Sequence, residues 1–383
     1  MRDTFLTFSK PLIEEREINE VVEVLHSGWI GAGPKVEEFE KKFAQYKGAR
    51  HAIAVNSCTA ALHAALVGLG MGPGDEVIVP TMTFVATAHA VIHAGATPVL
   101  VDCEDDANIS IDGVRQKITP RTKAIIPVHI AGLPCDMDGI LDVASRYGLE
   151  VIEDAAHAVE AEYRGRKTGT IGDAGCFSFY PTKNMTTGEG GMVITDNDEC
   201  AAKVRSFISH GVDRDAWQRY SDKIVGYQVT DYGYNYRMTD IQAALGLWQL
   251  ARLEARWQRR KEISEKYDRE FRHSKSEIWP TFDDWEQFKK DIRHAYHLYH
   301  VQLDPDVDRD WFVAEMSKRN IGVGIHYIAM HLHPFYRDKF GYKCGNFPNA
   351  EYISDHTISL PLSAGMTDQD VQDVIDAVCE ILN

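Results

Sequence analysis

A single lysine, Lys183, stands at a position where the sequence favours a nucleophile. The apolar run Cys176–Tyr180 precedes it, three glycines (Gly188, Gly190 and Gly191) follow, and the apolar run MVITD comes next. Two buried strands would hold this lysine between them, and burial lowers the pKa of an amine, which makes the amine nucleophilic. The alternative is an ordinary surface lysine, which is the usual case for this residue type.

A carboxylate, Asp154, ends the apolar run that begins at Val151. In open α/β sheets, ligands bind outside the carboxyl ends of the strands. Asp154 is therefore well placed to pair with a cationic ring nitrogen. The alternative is that Asp154 only caps a following helix.

The segment Asn56–Leu62 turns from the apolar run HAIAV into an apolar helix. Its small residues, among them Cys58 and Thr59, leave backbone N–H groups free at the helix N-terminus. Free N–H groups and the helix dipole together favour an anion. Many such turns use Ser and Thr only as helix caps, which is the alternative interpretation here.

These three elements together match the requirements of pyridoxal 5′-phosphate (PLP). The turn would hold the phosphate, Asp154 would keep the pyridine nitrogen protonated, and Lys183, which lies 183 − 154 = 29 residues further on, would form the Schiff base. Phe84 follows the apolar run DEVIV and could stack on the ring, although a core position for Phe84 explains the pattern equally well.

Four motifs in order resemble a known family: NSCTAALHAAL, VIEDAAHA, SFYPTKNMTTGEGG and GYNYRMTDIQAALG. They are similar to the nucleotide-sugar aminotransferases of the DegT/DnrJ/EryC1/StrS family, and the resemblance extends over essentially the whole chain. It implies a fold-type I PLP enzyme that works as a homodimer with active sites at the subunit interface. The expected reaction transfers the amino group of L-glutamate to a nucleotide-linked keto sugar, which leaves 2-oxoglutarate.

The resemblance also implies roles for individual residues. Lys183 matches the Schiff-base lysine, Asp154 the partner of the pyridine nitrogen, and His157 the residue near the ring hydroxyl. The implied cofactor contacts are completed by Cys58, Thr59, Phe84, Ser178 and Asn235. Cys58 replaces a glycine found in many members but keeps the backbone N–H, and Asn235 matches an asparagine that reaches the phosphate of the neighbouring subunit.

Within the family, the C-terminal histidines most resemble those of enzymes that aminate C4 of UDP-linked 4-keto sugars. This resemblance makes His326, Tyr327 and His331 candidate substrate contacts. For His331 and the nearby His333, a position on the surface of the small domain is an equally good interpretation.

The sequence also leaves other functions open. One is amination at C3 of a dTDP- or GDP-linked keto-deoxysugar, and another is a PLP-binding regulatory protein without turnover. A deoxysugar dehydratase of the same fold would carry His in place of Lys183. A nicotinamide dehydrogenase would require a G-x-G-x-x-G motif after the first strand, and this sequence has none there.

The elements that must position these residues are read from hydrophobic periodicity. Short apolar runs alternate with helical stretches, so we expect an α/β fold with six or seven mostly parallel strands between residues 50 and 200. Thr239 to Asp268 has the spacing of one long helix, which Thr239 and Gln242 would cap. We expect a large PLP-binding domain with an N-terminal arm over 1–250 and a small α/β domain over 251–383.

Composition limits the remaining function classes. The 383 residues contain 41 Lys and Arg against 57 Asp and Glu, a formal net charge of −16, which disfavours nucleic-acid binding. Seven scattered cysteines without a CxxC motif favour a reducing, cytoplasmic location and no metal site. No signal peptide or membrane-spanning run is expected.

Overall fold

The structure is a computed structural model that describes residues 2–212, 227–273, 278–280 and 291–382. In chain order its strands are β1 (His51–Val55), β2 (Glu76–Pro80), β3 (Thr97–Val101), β4 (Thr122–Ile125), β5 (Glu150–Asp154), β6 (Glu162–Tyr163), β7 (Arg166–Lys167), β8 (Ala174–Ser178), β9 (Gly191–Thr195), β10 (Ile278–Pro280), β11 (Ile292–Arg293), β12 (Tyr299–Leu303) and β13 (Thr357–Leu360).

The helices, in the same order, are α1 (Glu15–Ser27), α2 (Pro34–Lys47), α3 (Cys58–Gly68), α4 (Ala86–His93), α5 (Ile111–Lys117), α6 (Met137–Tyr147), α7 (Asp198–Phe207), α8 (Asp240–Ala251), α9 (Leu253–His273), α10 (Arg309–Lys318), α11 (Pro334–Phe340), α12 (Pro348–His356) and α13 (Asp368–Leu382). Two short 3₁₀ turns occur at Ile130–Gly132 and Met330–Leu332.

A seven-stranded sheet forms the centre of the described chain, in the order β1-β9-β8-β5-β4-β2-β3. Neighbouring strands are parallel except at β9, which runs antiparallel to both β1 and β8. Side chains alternate between two covered faces. Val77 and Val79 share a core with α3, α4 and α7, whereas Ile78 packs in a core with α5 and α6. The expected α/β fold with a mostly parallel sheet is confirmed.

A second core lies in the C-terminal part of the chain, where α9, α10 and α13 pack on the strands β12 and β13. The N-terminal arm joins this core. Leu6 exchanges backbone hydrogen bonds with Asn320 and Gly322, and Arg2 forms ion pairs with Asp370 and Asp373. Conversely, Tyr336 and Phe347 belong to the core of the central sheet. The domain boundary at residue 250 stays a prediction.

The long helix expected from Thr239 to Asp268 is interrupted, so that part of the prediction is wrong. Thr239 and Gln242 do form the expected capping box. However, Arg252 has φ −105° and ψ 1°, which ends α8 before α9 begins. Arg252, at the break, and Arg256, in the first turn of α9, both pair with Glu14 through their guanidinium groups. Apolar spacing does not reveal a break of one residue.

No helix in the described ranges is both long and apolar enough to cross a bilayer.

Candidate active site

The carboxyl ends of β5 and β8 lie side by side, with Asp154 paired to Cys176 across the two strands. Ser178, at the end of β8, pairs with Gly191 of β9. A Cβ atom at Gly191 would lie only 2.6 Å from the carbonyl group of Ser57, so this position requires glycine. The close approach brings Ser178 next to the turn that begins α3.

The N-terminus of α3 has the features of an anion site. Ser57 caps the helix, its Oγ accepting a 3.1 Å hydrogen bond from the Ala60 N–H. The N–H groups of Cys58 and Thr59 precede the first helical hydrogen bond and therefore have no helical acceptor. Together with the Ser178 hydroxyl, they form a group of donors suited to a phosphate.

Asp154 is a buried carboxylate, 5% exposed, and both of its oxygens accept hydrogen bonds. Thr87 Oγ1 donates to Oδ2 over 2.8 Å, and the Ala156 N–H donates to Oδ1 over 3.2 Å. A turn rather than a helix follows β5, so the helix-cap alternative is wrong. Burial raises the pKa of Asp154, while the hydrogen bonds and the charge of Lys183 oppose this rise. A cationic ring nitrogen would stabilise the ionised form.

Lys183 lies half-buried in the loop between β8 and β9, with its N–H donating to the Tyr180 carbonyl over 2.9 Å. Burial lowers the pKa of its amine from 10.5 to about 8, although Cys58 and Asp154 act in the opposite direction. At pH 7 this pKa leaves roughly a tenth of the amine neutral, and the neutral amine is the nucleophile. The surface-lysine alternative is inconsistent with this environment.

His157 has a buried ring nitrogen without a hydrogen-bond partner among the described residues, which indicates that a ligand atom pairs with it. Its Nε2 lies 3.1 Å from the Tyr327 hydroxyl, and its ring centroid lies 4.4 Å from that of His297. Its Nδ1 is buried and has no hydrogen-bond partner in the structure. Because buried polar atoms are normally paired, this nitrogen fits the prediction that His157 lies next to the cofactor's ring hydroxyl.

Phe84 is 59% exposed, so the alternative of a simple core residue is wrong. Its ring lies 6.1 Å from that of Tyr327, and its carbonyl accepts a hydrogen bond from the Thr87 N–H. An exposed aromatic ring next to the Asp154 cluster is consistent with stacking on a flat ligand. That role stays a prediction.

Asn235 is exposed and lies next to the turn before α3 of its own chain. Its carbonyl accepts from Asn56 Nδ2 over 3.4 Å, and its Oδ1 accepts from Arg237 Nε over 3.2 Å. Its expected contact with the phosphate of a partner subunit stays a prediction.

The three candidate substrate residues have different environments. Tyr327 contacts His157, and His326 is hydrogen-bonded through Nδ1 to the Ser359 hydroxyl over 2.9 Å. Burial, with smaller contributions from His300 and Lys183, lowers the pKa of His326 to about 3, so this ring is neutral.

His331 must be removed from the candidate substrate site. It is 0% exposed, with Nδ1 bonded to Thr81 Oγ1 and Nε2 bonded to Glu351 Oε1, each over 2.9 Å. Neither ring nitrogen is left for a sugar. The alternative of a surface position is equally wrong, because His331 joins the end of β2 to α12.

Three residues near the reaction centre were not found by sequence reasoning: Thr87, Asn184 and His297. Thr87 holds Asp154, and Asn184 holds His297 over 3.0 Å. The position of Asn184 directly after Lys183 was an available signal, and so was the density of histidines in HAYHLYH.

The model of the DegT/DnrJ/EryC1/StrS aminotransferase family matches residues 11–379. The chain belongs to this family. It is 50% identical over 388 residues to the spore coat polysaccharide biosynthesis protein SpsC of Bacillus subtilis, covering 100% of this chain and 98% of SpsC.

Solved structures agree with this assignment. The PLP form of Spr1654 from Streptococcus pneumoniae, a proposed sugar aminotransferase, is 34% identical, with a TM-score of 0.90 over 99% of this chain and 100% of that chain. PseC of Helicobacter pylori, an aminotransferase involved in the biosynthesis of pseudoaminic acid, is 28% identical, with a TM-score of 0.91 over 99% of each chain.

This aminotransferase therefore uses PLP, as its family does. The residues present fit the cofactor: the donors at the start of α3 suit a phosphate, Asp154 suits a cationic nitrogen, and His157 has a buried ring nitrogen without a partner. The prediction of an enzyme with this cofactor is confirmed.

Proposed function

We propose that this enzyme transfers the amino group of L-glutamate to a nucleotide-linked keto sugar, at C4 of a UDP-linked 4-keto sugar. The observation that carries the proposal is the Lys183 amine, in the loop after β8, within the electrostatic influence of the Asp154 carboxylate at the end of the adjoining strand β5. Two of the relatives named above support a sugar substrate: Spr1654 is a proposed sugar aminotransferase, and SpsC is a spore coat polysaccharide biosynthesis protein.

The mechanism assigns a distinct task to each residue. When bound, PLP supplies an electron-withdrawing ring that stabilises negative charge on the substrate carbon. Lys183 Nζ would take the proton from the α-carbon of glutamate and deliver it to the exocyclic carbon of the PLP ring. A pKa of about 8 suits both directions of this transfer near neutral pH. Asp154 keeps the ring nitrogen protonated, and Thr87 holds the carboxylate in place.

The sugar half-reaction uses the same groups in reverse, with Lys183 now donating the proton to the substrate carbon. His326 and Tyr327, beside His157, form the wall that we assign to the sugar.

Amination at C3 of a dTDP- or GDP-linked sugar is the alternative. Given the similarity to SpsC, we place the product in polysaccharide biosynthesis.

We further propose a homodimer with shared active sites, in which Asn235 completes the phosphate site of the partner subunit. Its exposed position at the edge of its own α3 turn supports this arrangement. The seven cysteines form no disulfide in the described part of the chain, which supports a reducing, cytoplasmic location.

The test is an assay of the holoenzyme with glutamate against UDP-, dTDP- and GDP-linked 3-keto and 4-keto sugars, with the aminated carbon identified by NMR. We expect steady release of 2-oxoglutarate with a UDP-linked 4-keto sugar. The Lys183→Ala variant is the control and should lack turnover together with the visible absorption of lysine-bound PLP. Reaction only at C3 would favour the alternative. The absence of turnover with every keto sugar would favour a regulatory protein.

A further inference from the structure

Asn184, which directly follows Lys183, has an amide group whose orientation is determined by its neighbours. Its Nδ2 donates to Glu160 Oε2 over 2.8 Å and to the Ala295 carbonyl over 3.0 Å. The Ala295 carbonyl is only an acceptor, and Glu160 forms a buried ion pair with Arg260 of α9. The opposite amide orientation would direct an oxygen at these acceptors, so Oδ1 must face His297.

This orientation fixes the tautomer of His297. Its Nδ1 lies 3.0 Å from Asn184 Oδ1, which has no proton to donate, so Nδ1 carries the proton. Burial, followed by the charge of Lys183 and the neighbouring histidines, holds the pKa of His297 well below its usual range. The ring is therefore neutral, and Nε2 is a hydrogen-bond acceptor.

The backbone around His297 is held firmly against the site. Its N–H and that of Leu298 donate to the Ala131 carbonyl, and the Ala295 N–H donates to the Gly132 carbonyl. Gly132 has φ +94°, and a Cβ there would lie 2.9 Å from the His157 carbonyl oxygen. The glycine thus allows the His157 and His297 segments to approach closely, which brings their rings to 4.4 Å.

No residue in the described part of the chain donates a hydrogen bond to His297 Nε2. The ring lies against His157, and the charge of Lys183 contributes to its lowered pKa. We therefore expect the substrate atoms nearest to it to be those at or beside the reacting carbon. The ketone oxygen has no proton to donate. A hydroxyl group on a neighbouring sugar carbon does have one.

We propose that His297 is a specificity-determining residue whose Nε2 accepts a hydrogen bond from the sugar hydroxyl next to the ketone. The inference rests on the sugar-aminotransferase function proposed above. Glutamate offers no hydroxyl at the corresponding position, so His297 serves the sugar half-reaction. Asn184 is held by Glu160, which is paired with Arg260. Asn184 is therefore the positioning residue that presents the unprotonated Nε2 of His297 to the sugar.

The first experiment compares a keto sugar that the holoenzyme accepts with its analogue that lacks the hydroxyl beside the ketone. We expect kcat/KM of the wild-type enzyme to be about 10- to 100-fold higher for the hydroxylated sugar, because the analogue leaves the Nε2 acceptor unpaired in the complex. In His297→Leu the ratio should fall below about threefold. His297→Gln, whose amide oxygen is an acceptor, should recover part of the preference.

Single-turnover measurements separate the two half-reactions, and the rate with the sugar should fall at least about tenfold more in His297→Leu than the rate with glutamate. NMR of the histidine ring nitrogens in wild-type holoenzyme, with His297 assigned from the His297→Gln spectrum, should show a protonated Nδ1 and a bare Nε2. This measurement does not depend on whether His297→Leu folds.

Three results would overturn the inference: an unchanged preference in His297→Leu, equal losses in both half-reactions, or a protonated Nε2. Failure of the proposed function would look different, because the wild-type enzyme would then accept no keto sugar and would release at most one equivalent of 2-oxoglutarate per active site from glutamate.

Discussion

Thr87 Oγ1 donates a 2.8 Å hydrogen bond to Asp154 Oδ2 inside the protein. The two residues are 67 positions apart in the sequence, on α4 and at the end of β5. The carboxylate is thus fixed at the strand end by a neutral donor rather than by a cation. Its charge remains available to a ligand.

Replacing Thr87 with Val should weaken the enzyme through Asp154. The variant keeps the shape of the side chain but leaves Oδ2 without its donor, which should cost about 1–3 kcal/mol in the free energy of unfolding of the holoenzyme. We also expect a lower kcat, measured with saturating glutamate and keto sugar. Thr87→Ser retains the hydroxyl and is the matched control. Equal behaviour of the two variants would show that the hydrogen bond has no such role.

Replacing Asp154 with Asn should separate binding from catalysis. A neutral amide cannot hold the ring proton, so we expect the variant to retain PLP but to lose about 100-fold or more in kcat. Cofactor content from the absorption spectrum and kcat from 2-oxoglutarate release measure the two effects. A nearly normal kcat in this variant would show that Asp154 has only a structural role.

The depressed pKa of Lys183 predicts a pH-dependent stability difference in the cofactor-free enzyme. The pKa is about 8 in the folded chain against an ordinary 10.5, so folding disfavours the charged amine. Below pH 8 the full penalty acts, between pH 8 and 10.5 it diminishes, and above that range it is absent. Cofactor-free Lys183→Met should therefore be more stable than wild type at pH 7, by at most about 3 kcal/mol.

Denaturant unfolding of both cofactor-free proteins across this pH range provides the measurement for Lys183→Met. The difference between the two curves isolates Lys183 from the other titrating groups. A difference that grows as the pH rises would contradict the assignment.

His331 should matter for stability and not for sugar recognition. His331→Ala leaves the buried Thr81 hydroxyl and the Glu351 carboxylate without their shared partner, so we expect a loss of about 1–3 kcal/mol. Urea titration of the holoenzyme measures this loss, while KM for the sugar should stay within about twofold of wild type. A selective rise in KM at full stability would restore His331 to the substrate site.

Mixed subunits test the role proposed for Asn235. If Asn235 serves the partner's phosphate site, a heterodimer of Lys183→Ala and Asn235→Ala subunits has one site with both lesions and one with neither. Activity should therefore recover to about half of the wild-type value per dimer, given that each intact site works independently. Labelled subunits would confirm that exchange has occurred. Demonstrated exchange without recovery would show that Asn235 acts within its own chain.

The sequence by itself determined the strands and the groups at their ends. Apolar runs such as DEVIV and VIED encode buried strands locally, and parallel strands must place their carboxyl ends on one edge, so Asp154 and Lys183 could be assigned from their positions after such runs. The cap of α8 was equally local, since Thr239 and Gln242 are three residues apart.

The tertiary structure decided which distant polar groups meet. Thr81 and His331 are 250 positions apart, and Asn184 and His297 are 113 apart. Hydrophobic periodicity specifies which face of an element is buried, but a hydrogen bond between separate elements depends on strand order, on register and on close approaches such as that at Gly132. For this reason the sequence could not distinguish a buried structural histidine, His331, from one that lies against His157, His297.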